Sequence, residues 1–248
     1  MKKNLYLIFL LIANFAFSQF SLENAKTIPM FTVNYSLQFP QKDLAERYGV
    51  NSMIGSSFSL KLKSNFIIGI EASYLFGNNL KEDGIFDKIK TSNGEMINLY
   101  GEYADYILSE RGFFMGAKLG YLFPVFSPNE NSGILIYANF GLLQHKIRIE
   151  NNGNNTPQII NDYAKGYDRL TNGFAINEFV GYSYMSDDGN YNFYAGIEYY
   201  QAWTKNRRDF NFDTKQQDNS DRQDFLYGIR VGWIIPIKRQ TANNYYTK

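Results

Sequence analysis

The stretch FLYGIRVGWIIPI, residues 225–237, carries an apolar or aromatic side chain at every second position, and Leu226, Ile234 and Pro236 lie between them together with glycines and one charge. Its odd positions are all apolar or aromatic, whereas its even positions include Gly228, Gly232 and the charged Arg230. Successive side chains of a β-strand point to opposite faces, so one face suits lipid and the other suits a crowded, polar interior. The pattern predicts a membrane-spanning strand of a β-barrel.

Seven earlier stretches carry a similar period of two. The predicted strands are 30–39, 52–63, 66–77, 113–125, 134–149, 174–185 and 191–203. Short connections rich in turn-forming residues alternate with longer polar ones at 40–51, 78–112, 150–173 and 204–224. This alternation is typical of periplasmic turns and extracellular loops. We therefore predict an all-β fold, an eight-stranded antiparallel transmembrane up-and-down β-barrel with four longer extracellular loops.

Three places fit this scheme less well. The segment MINLYGEYADYIL, residues 96–108, could be a ninth strand, but an odd number would place the termini on opposite sides. We interpret it as part of the long second loop, with a strand extension above the membrane as a further possibility. In strand 174–185 either Asn177 or Glu178 must face lipid unless a bulge shifts the register, and Asn139 raises the same question in strand 134–149.

The N-terminus is typical of a secretory signal. Lys2 and Lys3 precede an apolar run at 5–17. The small residues Ala16 and Ser18 occupy the −3 and −1 positions of a predicted cleavage after Ser18. The predicted organisation is a signal peptide at 1–18, a short periplasmic segment at 19–29, the barrel at 30–237 and a periplasmic tail at 238–248. Because the chain has no cysteine, it can form neither a structural disulfide nor a lipid-modified N-terminal cysteine.

The composition restricts the partners and the location. The formal net charge is +1, so the chain has no strong field that would favour nucleic acid. Aromatic residues make up 17%, although the mean hydropathy is only −0.36. This combination is typical of a barrel whose polar lumen and loops dilute its lipid-facing band. The expected location is the outer membrane of a gram-negative bacterium, with no cofactor and no bound metal.

Five charged residues fall on the predicted inner face of the strands. They are Lys61, Glu71, Lys118, Glu198 and Arg230. Eight strands leave just enough interior for side chains, and buried charges persist only when they are paired. We expect a lumen ion-pair network that stabilises the barrel, in preference to an ion gate.

Two predicted loops combine charged and aromatic residues, which often anchor protein contacts. The candidate contact surface consists of Asp168, Arg169, Arg207, Arg208, Phe210 and Phe212. A solvated loop that packs over the barrel mouth is an equally good interpretation.

Two candidate chemical sites are weak. His145 is the only histidine, and catalysis would need a nucleophile, an orienting carboxylate and an oxyanion donor beside it. Its sequence neighbours do not provide that set, so no catalytic residue is assigned. Asp218, Asp221 and Asp224 lack the ligand order and the glycine of a calcium-binding loop.

The strand set, the terminal strand and the four-loop layout resemble the OmpA/OmpX-like family of small outer-membrane barrels. The segments QHKIRIE (144–150), KGYDRLTNGF (165–174) and NRRDFNFDT (206–214) look like those of uncharacterised gram-negative barrels. The chain departs from the family in having eleven residues after the last strand.

The resemblance implies the fold but transfers no activity. The favoured hypothesis is a non-enzymatic barrel that presents ordered loops for binding, as a structural protein, an adhesin or an accessory subunit. The alternatives are a lipid A-modifying enzyme and then a narrow porin. Expected partners are outer-membrane lipid and an outer-membrane protein bound through the loops, with the barrel itself monomeric.

Overall fold

The computed structural model describes residues 27–82, 84–187 and 190–237. The predicted signal peptide, most of segment 19–29 and the tail 238–248 lie outside these residues. The strands are β1 (Ile28–Lys42), β2 (Asn51–Lys61), β3 (Phe66–Gly77), β4 (Tyr106–Phe123), β5 (Gly133–Asn151), β6 (Thr171–Met185), β7 (Asn192–Asn206) and β8 (Asp221–Pro236). Each pairs with the next in antiparallel register and β8 pairs with β1, which closes the barrel. The eight-stranded fold is confirmed.

Two rings of aromatic side chains border an apolar belt on the outside of the barrel. One ring contains Phe66, Tyr121, Phe123, Tyr182, Tyr184, Phe193 and Trp233, and the other contains Phe39, Tyr74, Phe76, Phe113, Phe174, Trp203 and Tyr227. Such girdles mark the two membrane interfaces of a transmembrane barrel. We assign the end with β2–β3, β4–β5 and β6–β7 connections to the periplasm.

Several strands extend beyond their predicted outer ends. β4 begins at Tyr106 rather than at residue 113, and β8 begins at Asp221 rather than at 225. Above the membrane the outer face of a strand meets water instead of lipid and need not be apolar, whereas inner side chains such as Tyr106 and Leu108 still pack against an apolar core. The lipid-facing alternation therefore ends while the backbone ladder continues. The segment 96–108 is divided in the same way: its last three residues belong to β4, and the rest is loop with one bridge between Ile97 and Tyr103.

All four outer connections are shorter than predicted. Because β1 continues to Lys42, the first connection is reduced to residues 43–50, most of which form the short helix α1 (Asp43–Arg47). The other connections span 78–105, 152–170 and 207–220. The connection 152–170 contains the helix α2 (Asn161–Lys165). Short 3₁₀ turns lie at Asp87–Ile89, Asn152–Asn154 and Pro157–Ile159. Among the described residues, no helix has the length and apolar character needed to cross a membrane.

The register of β6 settles which of its polar residues faces outward. β5, β6 and β7 pair residue for residue without a bulge, with Asn177 opposite Asn139 and Tyr200. Both asparagines are buried in the lumen, whereas Glu178 is exposed on the outer face.

Candidate functional site

Arg230 lies at the centre of the lumen and is fully buried. Its Nη1 is 2.7 Å from Oε1 of Glu71, and its Nε is 2.6 Å from Oε2 of Glu198. The same guanidinium donates to the hydroxyls of Tyr137 at 2.8 Å and Tyr200 at 2.7 Å. This cation on β8 therefore joins side chains from three other strands, and the planar fork of arginine suits this role.

Lys118 provides the second cation of this cluster. Its Nζ is 2.9 Å from Oε2 of Glu71 and donates to Ser57 Oγ at 3.0 Å. The amide of Gln38 donates to Glu198 Oε1 at 2.6 Å, and that of Asn139 donates to Glu71 Oε2 at 3.2 Å. Two cations and two carboxylates balance in charge, which is the arrangement that lets buried ions remain ionised. We name Glu71, Lys118, Glu198 and Arg230 the lumen cluster.

Lys61 lies apart from the lumen cluster, in contrast to the prediction. It is at the periplasmic end of β2, where its Nζ donates to Asn131 Oδ1 at 3.1 Å, in the turn between β4 and β5. Its inward parity was predicted correctly. Parity alone does not give height along the barrel axis, however, and the strand register places Lys61 opposite Ile28 at the barrel end.

Apolar layers close the lumen below and above the cluster. The lower layer contains Met30, Ile67, Leu122, Leu135, Tyr137, Phe179, Met185, Tyr194 and Ile234. Its rings fit tightly: a Cβ on Gly232 would lie 2.4 Å from the ring of Tyr194, so only glycine leaves room there. The upper layer includes Phe114, whose ring meets that of Tyr200 edge to face at 5.2 Å. A cavity of about 30 Å³ in the lower layer, lined by Thr32, Lys61 and Lys118 among other residues, reaches the lumen cluster.

The four outer connections pack together over the barrel mouth. We name residues 43–50, 78–105, 152–170 and 207–220 the cap. Apolar side chains from the cap continue the upper lumen layer; among them are Leu44, Tyr48, Ile85, Phe86, Met96, Ile159 and Tyr167. Phe86 contacts the rings of Tyr106 and Tyr167 at 5.2 and 5.1 Å. The outer loops thus share one hydrophobic core with the barrel and are ordered by it.

Arg169 connects three of the cap segments and is buried. Its Nε donates to Glu82 Oε1 at 2.7 Å, and its two Nη atoms donate to the carboxylate of Asp213. Burial alone would raise the pKa of Asp213, but the hydrogen bonds and charge of Arg169 outweigh it and hold that pKa below its ordinary value. The Asp213 carboxylate is therefore a stable anion that holds the fourth loop to the third.

Two further arginines brace the cap through three ion pairs. Arg208 contacts Asp168 through two hydrogen bonds of 2.7 and 2.5 Å. Arg47 in α1 lies 3.1 Å from Glu82 Oε2 and 3.6 Å from Asp218 Oδ2. Each pair joins different loops, so the cap is cross-linked by charge as well as by apolar packing.

The predicted loop contact surface is therefore divided. Asp168 and Arg169 are buried, and Phe212 packs edge to face against Tyr167 at 5.5 Å. Among these six residues only Arg207 and Phe210 are exposed. The alternative interpretation, a loop that packs over the mouth, describes the buried residues and the half-buried Arg208 and Phe212.

The second loop carries an exposed aromatic tip that sequence reasoning did not select. Leu99, Tyr100 and Tyr103 are 69%, 76% and 63% exposed. The Asn98 side chain accepts hydrogen bonds from the backbone N–H groups of Tyr100 and Glu102, at 2.8 and 3.0 Å. We name residues 97–103 the tip. The available signal was the sequence LYGEY, in which large apolar side chains flank a glycine without the alternation of a strand.

The tip is fixed to the rest of the cap. The backbone N–H of Leu99 donates to the carbonyl of Asn155 at 2.9 Å, and Gln158 donates to the carbonyl of Ile97 at 3.4 Å. The next residue inward, Met96, is fully buried in the shared core. Large apolar side chains are thus held at the surface on an ordered turn.

His145 is buried on the lumen side beneath the cap. Its Nε2 is 2.9 Å from Oδ2 of Asp224, which also accepts a hydrogen bond from Thr204, and the ring of Tyr48 meets the imidazole at 5.6 Å. Asp224 comes from another strand, so sequence neighbours could not reveal this partner. The imidazole has no path to lipid.

The three aspartates considered for calcium have different partners. Asp218 pairs with Arg47, Asp221 lies 2.8 Å from Lys205, and Asp224 binds the buried His145. No group of three or more carboxylate, histidine or cysteine side chains suited to a metal ion occurs in the part of the chain that the structure describes.

Three features decide the class of the protein. The strands hydrogen-bond in a closed ring, the exterior is apolar with two aromatic girdles, and the interior is charged. Only helices and closed barrels satisfy all backbone groups in a bilayer, and barrels with this inside-out polarity belong to outer membranes. The chain is an outer-membrane β-barrel. No protein-family model and no curated protein matches it.

Solved structures of small outer-membrane barrels resemble this barrel. Ail, the attachment invasion locus protein of Yersinia pestis, matches at a TM-score of 0.44 and 8% identity, covering 84% of this chain and 99% of that one. A second Ail structure, in complex with the heparin analogue sucrose octasulfate, gives 0.40 and 8%, with the same coverage of 84% and 99%. The N-terminal barrel domain of Pseudomonas aeruginosa OprF gives 0.33 and 12%, covering 82% and 96%. The likeness lies in architecture rather than in sequence.

Proposed function

We propose that this outer-membrane barrel is a non-enzymatic surface protein that binds a protein partner through the tip. The observation that carries the proposal is the exposure of Leu99, Tyr100 and Tyr103 together on one ordered turn of the cap. Exposed aromatic residues are enriched at protein contacts, where they supply much of the binding energy. A turn already ordered before binding loses little conformational entropy when it docks.

The sealed lumen supports a binding role over transport. Apolar layers lie on both sides of the lumen cluster, and the cap covers the mouth. A porin needs a continuous aqueous path, and the cavity of about 30 Å³ in the lower layer is too small to pass a solute. The narrow-porin alternative therefore has no support from the geometry.

The lipid A-modifying alternative also lacks support. Such chemistry needs a reactive group at the lipid boundary, whereas His145 is 1% exposed and lies between Tyr48 and Asp224 inside the barrel. Its hydrogen bond to Asp224 serves to satisfy two buried polar groups.

A photo-crosslinking amino acid at position 100 tests the proposal in living cells. We expect an adduct of defined mass with an outer-membrane or extracellular protein. The matched control carries the same group at Phe126, an aromatic residue 93% exposed in the β4–β5 turn at the other end of the barrel. An adduct at both positions, or at neither, would count against a specific contact through the tip.

A second comparison separates contact from folding. The triple variant Leu99→Ser, Tyr100→Ser, Tyr103→Ser removes the apolar tip, and Tyr163→Ser removes another exposed aromatic residue from the same cap. Partner recovery from cells should fall about tenfold or more for the triple variant, because hot-spot side chains each contribute over ~1 kcal/mol. It should be unchanged for Tyr163→Ser. Equal recovery from both variants would contradict the proposal.

A further inference from the structure

Glu178 is a carboxylate on the lipid-facing side of β6. Ile176 and Val180 lie on either side of it on the same outer face of the strand. Its register partners are Ala138 on β5 and Tyr199 on β7. Between the two aromatic girdles it is the only charged residue that faces outward on the described strands.

The depth of Glu178 follows from the girdle residues on its own strand. Phe174 and Tyr182 face outward four residues to either side of it. At about 3.3 Å per residue and a strand tilt of ~40°, each lies roughly 10 Å away along the membrane normal. Glu178 is therefore close to the middle of an apolar band that is about 25 Å tall in barrels of this kind.

The barrel itself satisfies this carboxylate poorly. Gln201 Nε2 donates to Glu178 Oε2 at 3.2 Å and is its only hydrogen-bond partner among the described residues. A carboxyl group has several hydrogen-bonding sites, and hydrocarbon offers no water to fill the others. Polar groups held in a bilayer at such cost are usually functional and have a partner.

The surface around Glu178 is complementary to itself. It presents a carboxylate acceptor together with two donors, the Gln201 amide and the Tyr199 phenol, on the neighbouring strand. A two-fold axis through the patch would bring the donors of each copy to the carboxylate of the other, as isologous interfaces require. Ala138 beside Glu178 has a small side chain, which allows a second barrel to approach closely.

We propose that Glu178, Tyr199 and Gln201 form a membrane-embedded interface through which two copies of this barrel associate. This differs from the monomer expected from the sequence. It is independent of the tip, which lies outside the membrane on the cap.

Disulfide crosslinking in native membranes tests the interface, since the chain has no cysteine of its own. Ala138→Cys should give a crosslinked homodimer on oxidation. The matched control is Ser56→Cys, an outward belt position on β2, four strands away around the barrel. Absence of a homodimer with Ala138→Cys, an equal yield with Ser56→Cys, or a crosslink to a different protein would overturn the proposal.

Glu178→Leu then tests the carboxylate. Folding is checked by heat-modifiable gel mobility, and the variant should fold because it replaces a polar group in the belt by hydrocarbon. Self-association of the purified chain in detergent should weaken about tenfold, the factor expected for two symmetry-related hydrogen bonds between membrane segments. Ser56→Leu should leave self-association unchanged. Undiminished association of folded Glu178→Leu would refute the assigned contact.

Discussion

Replacing Arg230 by methionine is the sharpest perturbation of the lumen cluster. The side chain is completely buried, and it contacts the carboxylates of Glu71 and Glu198 at 2.7 and 2.6 Å. Its removal changes the cluster from two cations and two carboxylates to one cation and two carboxylates. Lys118 is then the remaining cation of the cluster. It contacts the carboxylate of Glu71, and the carboxylate of Glu198 loses its cation.

The expected loss of unfolding free energy for Arg230→Met is about 3–5 kcal/mol, the usual cost of leaving a buried charge without its partner. Glu198→Gln keeps a hydrogen-bonding group beside the guanidinium and should cost about 1–3 kcal/mol. In the double variant, Arg230→Met with Glu198→Gln, the net charge of the lumen cluster is zero again, because Lys118 and Glu71 remain paired. It should therefore be more stable than the sum of the single losses predicts, by ~1 kcal/mol or more.

The assay is urea unfolding of the refolded barrel in phospholipid vesicles, followed by tryptophan fluorescence and by gel mobility. The control is Lys165→Met, which removes an exposed cation of the cap. Additive losses within about 0.5 kcal/mol, or a loss under about 1 kcal/mol for Arg230→Met, would refute the view that the cluster is a coupled network.

Further predictions concern the cap and the lumen. Arg169→Met should lower local cap stability by about 1–3 kcal/mol, measured by hydrogen exchange, because Asp213 loses its main partner. Because the pKa of Asp213 is lowered, its contribution to the stability of the cap persists above about pH 4 and is lost as the pH falls through the folded-state pKa. Protease cleavage of the cap should therefore rise only below about pH 4. His145→Ala should cost about 1–3 kcal/mol in urea unfolding, because the buried Asp224 loses its imidazole partner and keeps the hydrogen bond from Thr204, while lipid A analysed by mass spectrometry stays unchanged. Planar bilayers containing the wild type should show no steady conductance, since both lumen layers are apolar.

The barrel was predictable because the alternation that specifies each strand is visible within a short stretch of sequence. A strand between lipid and a filled lumen must alternate, and residues 225–237 show this within a single stretch. The strand ends were less predictable, as in β4, because outward positions above the membrane meet water rather than lipid and need not be apolar. Glu178 broke the pattern for a different reason: the register admits no bulge, and the charge does lie in the belt.

The candidate site depended on contacts between distant strands and loops. Parity placed Glu71, Lys118, Glu198 and Arg230 on the inner face, and the register brings them to one height. The loop residues were harder to interpret, because the same arginine can bind a partner or brace a cap. Arg169 braces the cap through acids that are 44 and 87 positions away in the chain, which no sequence pattern specifies.

Cysteine labelling on intact cells tests most directly whether the cap presents the tip to the outside. In a chain without native cysteine, Tyr100→Cys and Phe126→Cys each introduce one reactive thiol, at opposite ends of the barrel. A membrane-impermeant maleimide should label position 100 on intact cells and position 126 only after the outer membrane is permeabilised. Labelling of position 126 alone on intact cells, or protection of position 100 in both conditions, would contradict the assigned topology and the exposed tip.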